Sequence, residues 1–244
     1  MQNYKLTIAY DGTNYHGWQM QANARTIQGE LTRVLSVLDH RPVTLQGAGR
    51  TDAGVHAEAQ VANVFLEREF APSQLREAVN GNLDRDLRIM EVEFADQLFE
   101  ARFSAKGKTY RYEISTAPVV SPFDFRYVYH YRGVLDTSEM QRAALLLVGR
   151  HDFSAFTVAR LETEDRVRTL TQLDVEARHH AIRITVSAEG FLRYMVRTIA
   201  GTLIDVGRGR RSGASVGAAL ASRNRHQAGA TAPAHGLTLM RVDY

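Results

Sequence analysis

Gly47-Ala48-Gly49-Arg50-Thr51-Asp52-Ala53-Gly54-Val55-His56-Ala57 admits two quite different architectures for this 244-residue chain. Val43 and Leu45 suggest a short strand leading into it, so it starts like the G-x-G of a dinucleotide-binding turn, and a doubly wound parallel sheet would follow. The match then fails. Asp52 stands at the third glycine position, where a carboxylate repels a pyrophosphate. The residues from Ala57 to Leu66 read as a strand, whereas the motif requires a helix N-terminus. The residues therefore describe a glycine-hinged loop between strands. Asp52 is then either a turn residue bonding nearby amides or a carboxylate for chemistry, flanked by Arg50 and His56. Residue types and spacing alone leave these two readings even.

Outward from the loop, periodicity assigns the other elements. Tyr4 to Tyr10 alternates, with Leu6, Ile8 and Tyr10 on one face. Ile27, Leu31, Val34, Leu35 and Leu38 fall at helical spacing behind Thr26, a plausible N-cap. Pro72 suits the first turn of a helix to Asn80, with Gly81 as the stop, and Leu87 to Phe94 returns as a strand. Thr109 to Ser115 alternates, with Tyr110, Tyr112 and Ile114 on one face. Tyr127 to Tyr131 reads as a strand. Asp136-Thr137-Ser138-Glu139 is a capping-box pattern opening a helix to Val148, closed by Gly149. Strands are expected around 173–177 and 181–187, an amphipathic helix from Phe191 to Val206, a short helix near 214–222 and a last strand from Leu237 to Val242. Most links are too short for helical crossovers throughout. The expected class is therefore α/β of the α+β type, with a largely antiparallel or mixed sheet and helices on one side. The expected division is 1–105 and 106–244.

Composition removes several function classes. There is no cysteine, which excludes disulfide scaffolds, zinc ribbons, thiol nucleophiles and Cys-ligated iron–sulfur clusters. No H-E-x-x-H, P-loop or EF-hand pattern occurs. His179-His180 has no metal-like partner spacing, and as neighbours in a strand the two rings are expected to face opposite ways. The first residues carry no signal-peptide pattern. The longest apolar run, from Ala143 to Val148, is too short to span a bilayer and reads as buried helix, so a soluble, cytoplasmic protein is expected. The net charge is +3, but from Arg193 to Arg225 seven arginines face the single acid Asp205. The net figure alone fits a mildly basic surface, but such a local excess is what a phosphate-rich partner would select.

Several segments resemble those of the bacterial tRNA pseudouridine synthase A family, in the family's order and along nearly the whole chain. They are Gly49 to Ala57, Tyr10-Asp11-Gly12-Thr13-Asn14-Tyr15-His16-Gly17-Trp18-Gln19, Ala101-Arg102-Phe103-Ser104-Ala105, Lys108-Thr109-Tyr110-Arg111-Tyr112, His151 to Phe156, Phe191-Leu192-Arg193-Tyr194-Met195-Val196-Arg197 and Gly236-Leu237. The resemblance implies isomerisation of uridine to pseudouridine at tRNA positions 38, 39 and 40, a reaction that needs no metal or other cofactor, in agreement with the motifs the sequence lacks. It also implies a homodimer, and two related halves with a joined sheet and a cleft between them. By the same resemblance Asp52 is the nucleophile, Arg197 its basic partner and Tyr110 the active-site tyrosine. Leu237 then lines the uracil pocket and Arg50 helps extrude the target nucleotide. Arg208 and Arg210, in Gly207-Arg208-Gly209-Arg210-Arg211, are expected to approach RNA phosphate. Arg193 is read as phosphate-binding or solvated, one helical turn before Arg197. Trp18 is read as structural or subunit-contacting. A non-catalytic RNA-binding module using the same basic face is the rival reading.

Overall fold

Alternation decides the first strand. In the computed structural model, which describes residues 1–158 and 165–244, β1 (Gln2–Tyr10) buries Tyr4, Leu6, Ile8 and Tyr10. The chain divides into two units, Met1–Lys106 with Leu239–Tyr244, and Gly107–Thr238.

In the first unit the Thr26 hydroxyl accepts from the Gly29 N–H at 3.2 Å and opens α1 (Ile27–Asp39). This helix buries Ile27, Leu31, Val34 and Leu35, at about 1.5–3 kcal/mol for each large side chain. A short β2 (Leu45–Gly47) precedes β3 (His56–Leu66). Pro72 occupies the first turn of α2 (Pro72–Asn80), which buries Leu75 and Val79 and ends at Gly81, before β4 (Leu87–Phe94). β1 pairs antiparallel with both β3 and β4, and β2 pairs antiparallel with β3. Register is strict through Leu6↔Ala62, because a one-residue slip would turn every buried side chain outward. It shifts between Ile8↔Gln60 and Tyr10↔Ala57, a bulge where β3 leaves the Asp52 loop.

The second unit opens with β5 (Gly107–Ser115), whose Tyr110, Tyr112 and Ile114 are buried as the alternation predicts. Next come β6 (Tyr129–His130), α3 (Thr137–Leu145), β7 (Gly149–Asp152), β8 (Val167–Arg178) and β9 (Ala181–Ala188). Then follow α4 (Met195–Gly207) and α5 (Ala214–Ser222). β9 pairs antiparallel with β5 and β8, β8 with β7, and β6 runs parallel to the end of β5. The last strand, β10 (Leu237–Asp243), starts in the second unit; from Leu239 onward it belongs to the first, beside β3. Both units are thus α/β with largely antiparallel pairing. No helix among the described residues is long and apolar enough to cross a membrane.

Several boundaries differ from the sequence expectation. Asp136 caps α3 as predicted, accepting from Glu139 N at 2.9 Å, but the helix stops at Leu145 instead of Val148. The next turns tighten to i→i+3 bonds, Leu146 N to Ala143 O and Leu147 N to Ala144 O. Ala143, Ala144 and Leu147 are buried, but Leu145 and Leu146 are exposed, so the run is only partly core. The strand expected over 127–131 is only two residues long, and β7 went unpredicted. His179 and His180 form the turn between β8 and β9 with rings 4.2 Å apart, so they do not diverge as strand neighbours. The helix expected from Phe191 begins at Met195, because Tyr194 has φ +62° and interrupts it. Arg193 therefore lies outside α4 and not one turn along its face.

Candidate active site and its supporting residues

Asp52 is half-buried and Arg50 exposed in the loop between β2 and β3. Gln60, wholly buried, donates its amide to the Gly49 carbonyl at 3.0 Å, while Ala48 N bonds Val61 O at 2.7 Å. The segment after β1 holds the other side of the loop. Tyr10 Oη lies 2.8 Å from Thr51 Oγ1, Trp18 N donates to Thr51 O at 3.0 Å, and Gly54 N donates to Tyr15 O at 3.3 Å. Each such bond adds about 0.5–1.5 kcal/mol, and together they leave the loop little freedom. The fit is close: a Cβ at Gly12 would lie 2.0 Å from Val55 O, and one at Gly17 (φ +90°) 2.7 Å from Thr51 O. Trp18 is buried, with its ring packed against Gly47.

Gly12 N lies 3.0 Å from His56 Nδ1, and an N–H can only donate, so that nitrogen accepts. Asp11 Oδ1, 3.2 Å from the same nitrogen, adds no hydrogen bond while Nδ1 is unprotonated. Behind Tyr15 sits a charged anchor. Its hydroxyl donates to Asp86 Oδ1 at 2.7 Å, Arg25 pairs with Asp86 at 3.0 Å and with Asp84 at 2.8 Å, and the Arg25 guanidinium lies 4.2 Å from the Tyr15 ring centre. Burial, with the Asp86 carboxylate beside it, pushes the Tyr15 phenol well above its ordinary range. Burial likewise raises Tyr10, so both hydroxyls stay protonated. Gln60, Tyr15, Arg25 and Asp86 escaped the sequence reading. Tyr15 lies within a matched segment, but nothing in its spacing pointed to the Asp52 loop.

In the second unit Tyr110 is buried on β5, its ring edge-on to Phe191 at 5.1 Å and 89°. Arg197, on the first turn of α4, donates from Nε to Ala232 O at 2.8 Å, and its own carbonyl accepts from Ala232 N at 3.0 Å. Leu237 is buried at the start of β10. The segment leading to it is held by Tyr112, whose hydroxyl donates to Pro233 O at 2.9 Å. Burial keeps that phenol far above its usual range.

The basic run divides by partner. Arg208 pairs with Asp205, and Arg211 lies 3.5 Å from the same carboxylate while donating to Gln227 O and Ala228 O. Arg225 donates to Gly229 O at 2.8 Å and to Thr231 Oγ1 at 3.1 Å. Arg223 pairs with Asp152 at 3.1 Å. Much of the arginine excess therefore holds the 227–232 segment, while Arg210 is exposed. Of the predicted residues, Asp52 and Arg50 lie in the first unit and Tyr110, Arg197, Leu237, Arg208 and Arg210 in the second. Among the described residues no group of three or more His, Cys, Asp or Glu side chains is arranged to hold a metal ion.

Comparison with known proteins places these features in a family. The family model described as tRNA pseudouridine synthase matches residues 6–104 and 143–244. A tRNA pseudouridine synthase A of Acetivibrio thermocellus is 43% identical over all of both chains. That of a Geobacillus species is 42% identical over 98% of this chain and 97% of its own. That of Syntrophotalea carbinolica is 43% identical over 100% and 97%. With likeness of this extent along the whole length, the chain belongs to the tRNA pseudouridine synthase family.

Proposed function

We propose that this chain isomerises uridine to pseudouridine in tRNA, at positions 38, 39 and 40 of the anticodon stem-loop, with Asp52 as nucleophile. The observation that carries this reading is the end-to-end likeness to tRNA pseudouridine synthases A. The pinned, half-buried setting of Asp52 supports it, since a carboxylate that must act on one atom needs a fixed position. In the reaction the N1–C1′ bond breaks, the uracil turns, and a C5–C1′ bond forms. The proton lost from C5 is balanced by the one gained at N1, so no atom enters or leaves overall.

Each supporting residue has a part in this scheme. Arg197 supplies the fixed positive charge the reaction requires. Tyr110 offers a ring for stacking on the flipped base and a hydroxyl for proton transfer. Leu237 gives the uracil an apolar wall, and Arg50 helps extrude the nucleotide, offsetting part of an unstacking cost of a few kcal/mol. Arg210 contacts phosphate; Arg208 does so only in competition with Asp205. The enzyme works in the cytoplasm as a homodimer, so light scattering should give twice the 27.3 kDa of one chain.

The deciding experiment incubates unmodified tRNA with the purified protein and locates pseudouridine by its carbodiimide adduct. Adducts are expected at positions 38 to 40 with the natural chain and at none with Asp52→Asn, while tRNA binding persists. Turnover by Asp52→Asn near that of the natural chain would remove the nucleophile assignment. Binding without any adduct from the natural chain would leave the non-catalytic RNA-binding module.

A further inference from the structure

The geometry points to Tyr194 as a positioning residue for Arg197, an inference that rests on the assignment of Arg197 to the reaction. Tyr194 has φ +62° and ψ 2°, in the left-handed region that residues with a side chain rarely occupy. It stands at the N-cap of α4, where Ser, Thr, Asp or Asn would bond the free amides of the first turn, yet its side chain makes no capping bond. Capping therefore does not account for the unfavourable backbone. Glycine or asparagine would fit that conformation with less strain.

What the conformation achieves is a place for the ring. The Tyr194 ring lies 5.3 Å from the guanidinium carbon of Arg197 and 4.9 Å from that of Arg193, both within cation–π range. Arg193 Nη2 also lies 3.2 Å from the Tyr194 hydroxyl, as donor to it. The Ala232 carbonyl, through Nε, and the Tyr194 ring thus both bear on Arg197. The Ala232 side is secured in turn. Gly229 N donates to Thr202 Oγ1 at 2.9 Å, and Arg225 bonds both Gly229 O and Thr231 Oγ1. A carbonyl and a ring bearing on one guanidinium restrict its swing about the long side chain. The restriction matters most if the charge must be in place before the substrate reacts.

The test measures kcat, KM and thermal unfolding for Tyr194→Asn, Tyr194→Phe and Arg197→Ala, using pseudouridine formation in tRNA. Asparagine tolerates the left-handed backbone but removes the ring, so Tyr194→Asn should lower kcat about 10-fold, leave KM within about twofold and not lower Tm. Phenylalanine keeps the ring and should retain kcat within about threefold. A residue needed only for folding would show the reverse, with kcat unmoved and Tm changed. The inference is overturned if Tyr194→Asn keeps the natural kcat while Arg197→Ala loses about 100-fold. If Arg197→Ala itself keeps activity, the Arg197 assignment fails first and takes this inference with it. Should Tyr194→Asn not fold, Tyr194→Leu compared with Tyr194→Phe decides the matter, and equal kcat for those two overturns it.

Discussion

Asp39 is an acid on the last turn of α1, where the helix dipole opposes it, and its side chain is buried. Burial raises its pKa, but the N–H groups of Arg68 (2.9 Å) and Glu67 (3.2 Å) and the Arg41 guanidinium (2.8 Å) more than offset this, so the carboxyl titrates below its ordinary range. A lowered folded pKa means stabilisation that is present above the unfolded value of about 3.9 and lost as pH falls through the folded one. Asp39→Asn keeps the shape but turns one acceptor into a donor facing donors. It should cost about 1–3 kcal/mol at pH 7 by urea unfolding, and the gap to the natural chain should narrow below pH ~4. An equal gap at pH 7 and pH 3 would show that the charge of Asp39 contributes nothing.

At the scale of elements, signals lying next to one another in the chain were legible. Thr26, Pro72 and Asp136 each mark a helix start, and the alternation over Thr109–Ser115 put Tyr110, Tyr112 and Ile114 on the buried face. Features set by distant partners were not. β7 exists through its pairing with β8, and α4 starts late because of the backbone of a single tyrosine. The Asp52 loop was found by motif, but its ties were not: Gly12 and His56 are 44 residues apart, and no periodicity links them. That strap is itself testable. Gly12→Ala places a methyl against the Val55 carbonyl and should cost about 1–3 kcal/mol in stability. It should also lower kcat more than it raises KM, because the displaced segment is the one that holds Thr51 and Gly54. Unchanged kinetics in a destabilised Gly12→Ala protein would confine the strap to folding.

Across the whole molecule, a net charge of +3 says little about where nucleic acid binds, since most arginines of the 193–225 run have protein partners. The number of cations available to phosphate is therefore smaller than the sequence count suggests. Removing Arg210 should reduce the slope of log Kd against log salt for tRNA binding by roughly 0.7–0.9, whereas removing Arg208, already neutralised by Asp205, should barely change it. Equal slopes for both variants would contradict that division.

The return of residues 239–244 to the first unit bears on biosynthesis. Tyr244 donates its hydroxyl to Ala101 O at 2.9 Å and sets its ring 5.0 Å from Phe99, so the end of β10 completes a body whose other residues, Met1–Lys106, are translated before the second unit. On the ribosome that body waits, one strand short, while the whole second unit is translated. At about 5–20 residues per second the 132 residues Gly107–Thr238 take seconds to tens of seconds. During that interval the stretch of the β3 edge that β2 does not cover lacks its β10 partner, and an unpaired edge is open to other nascent chains.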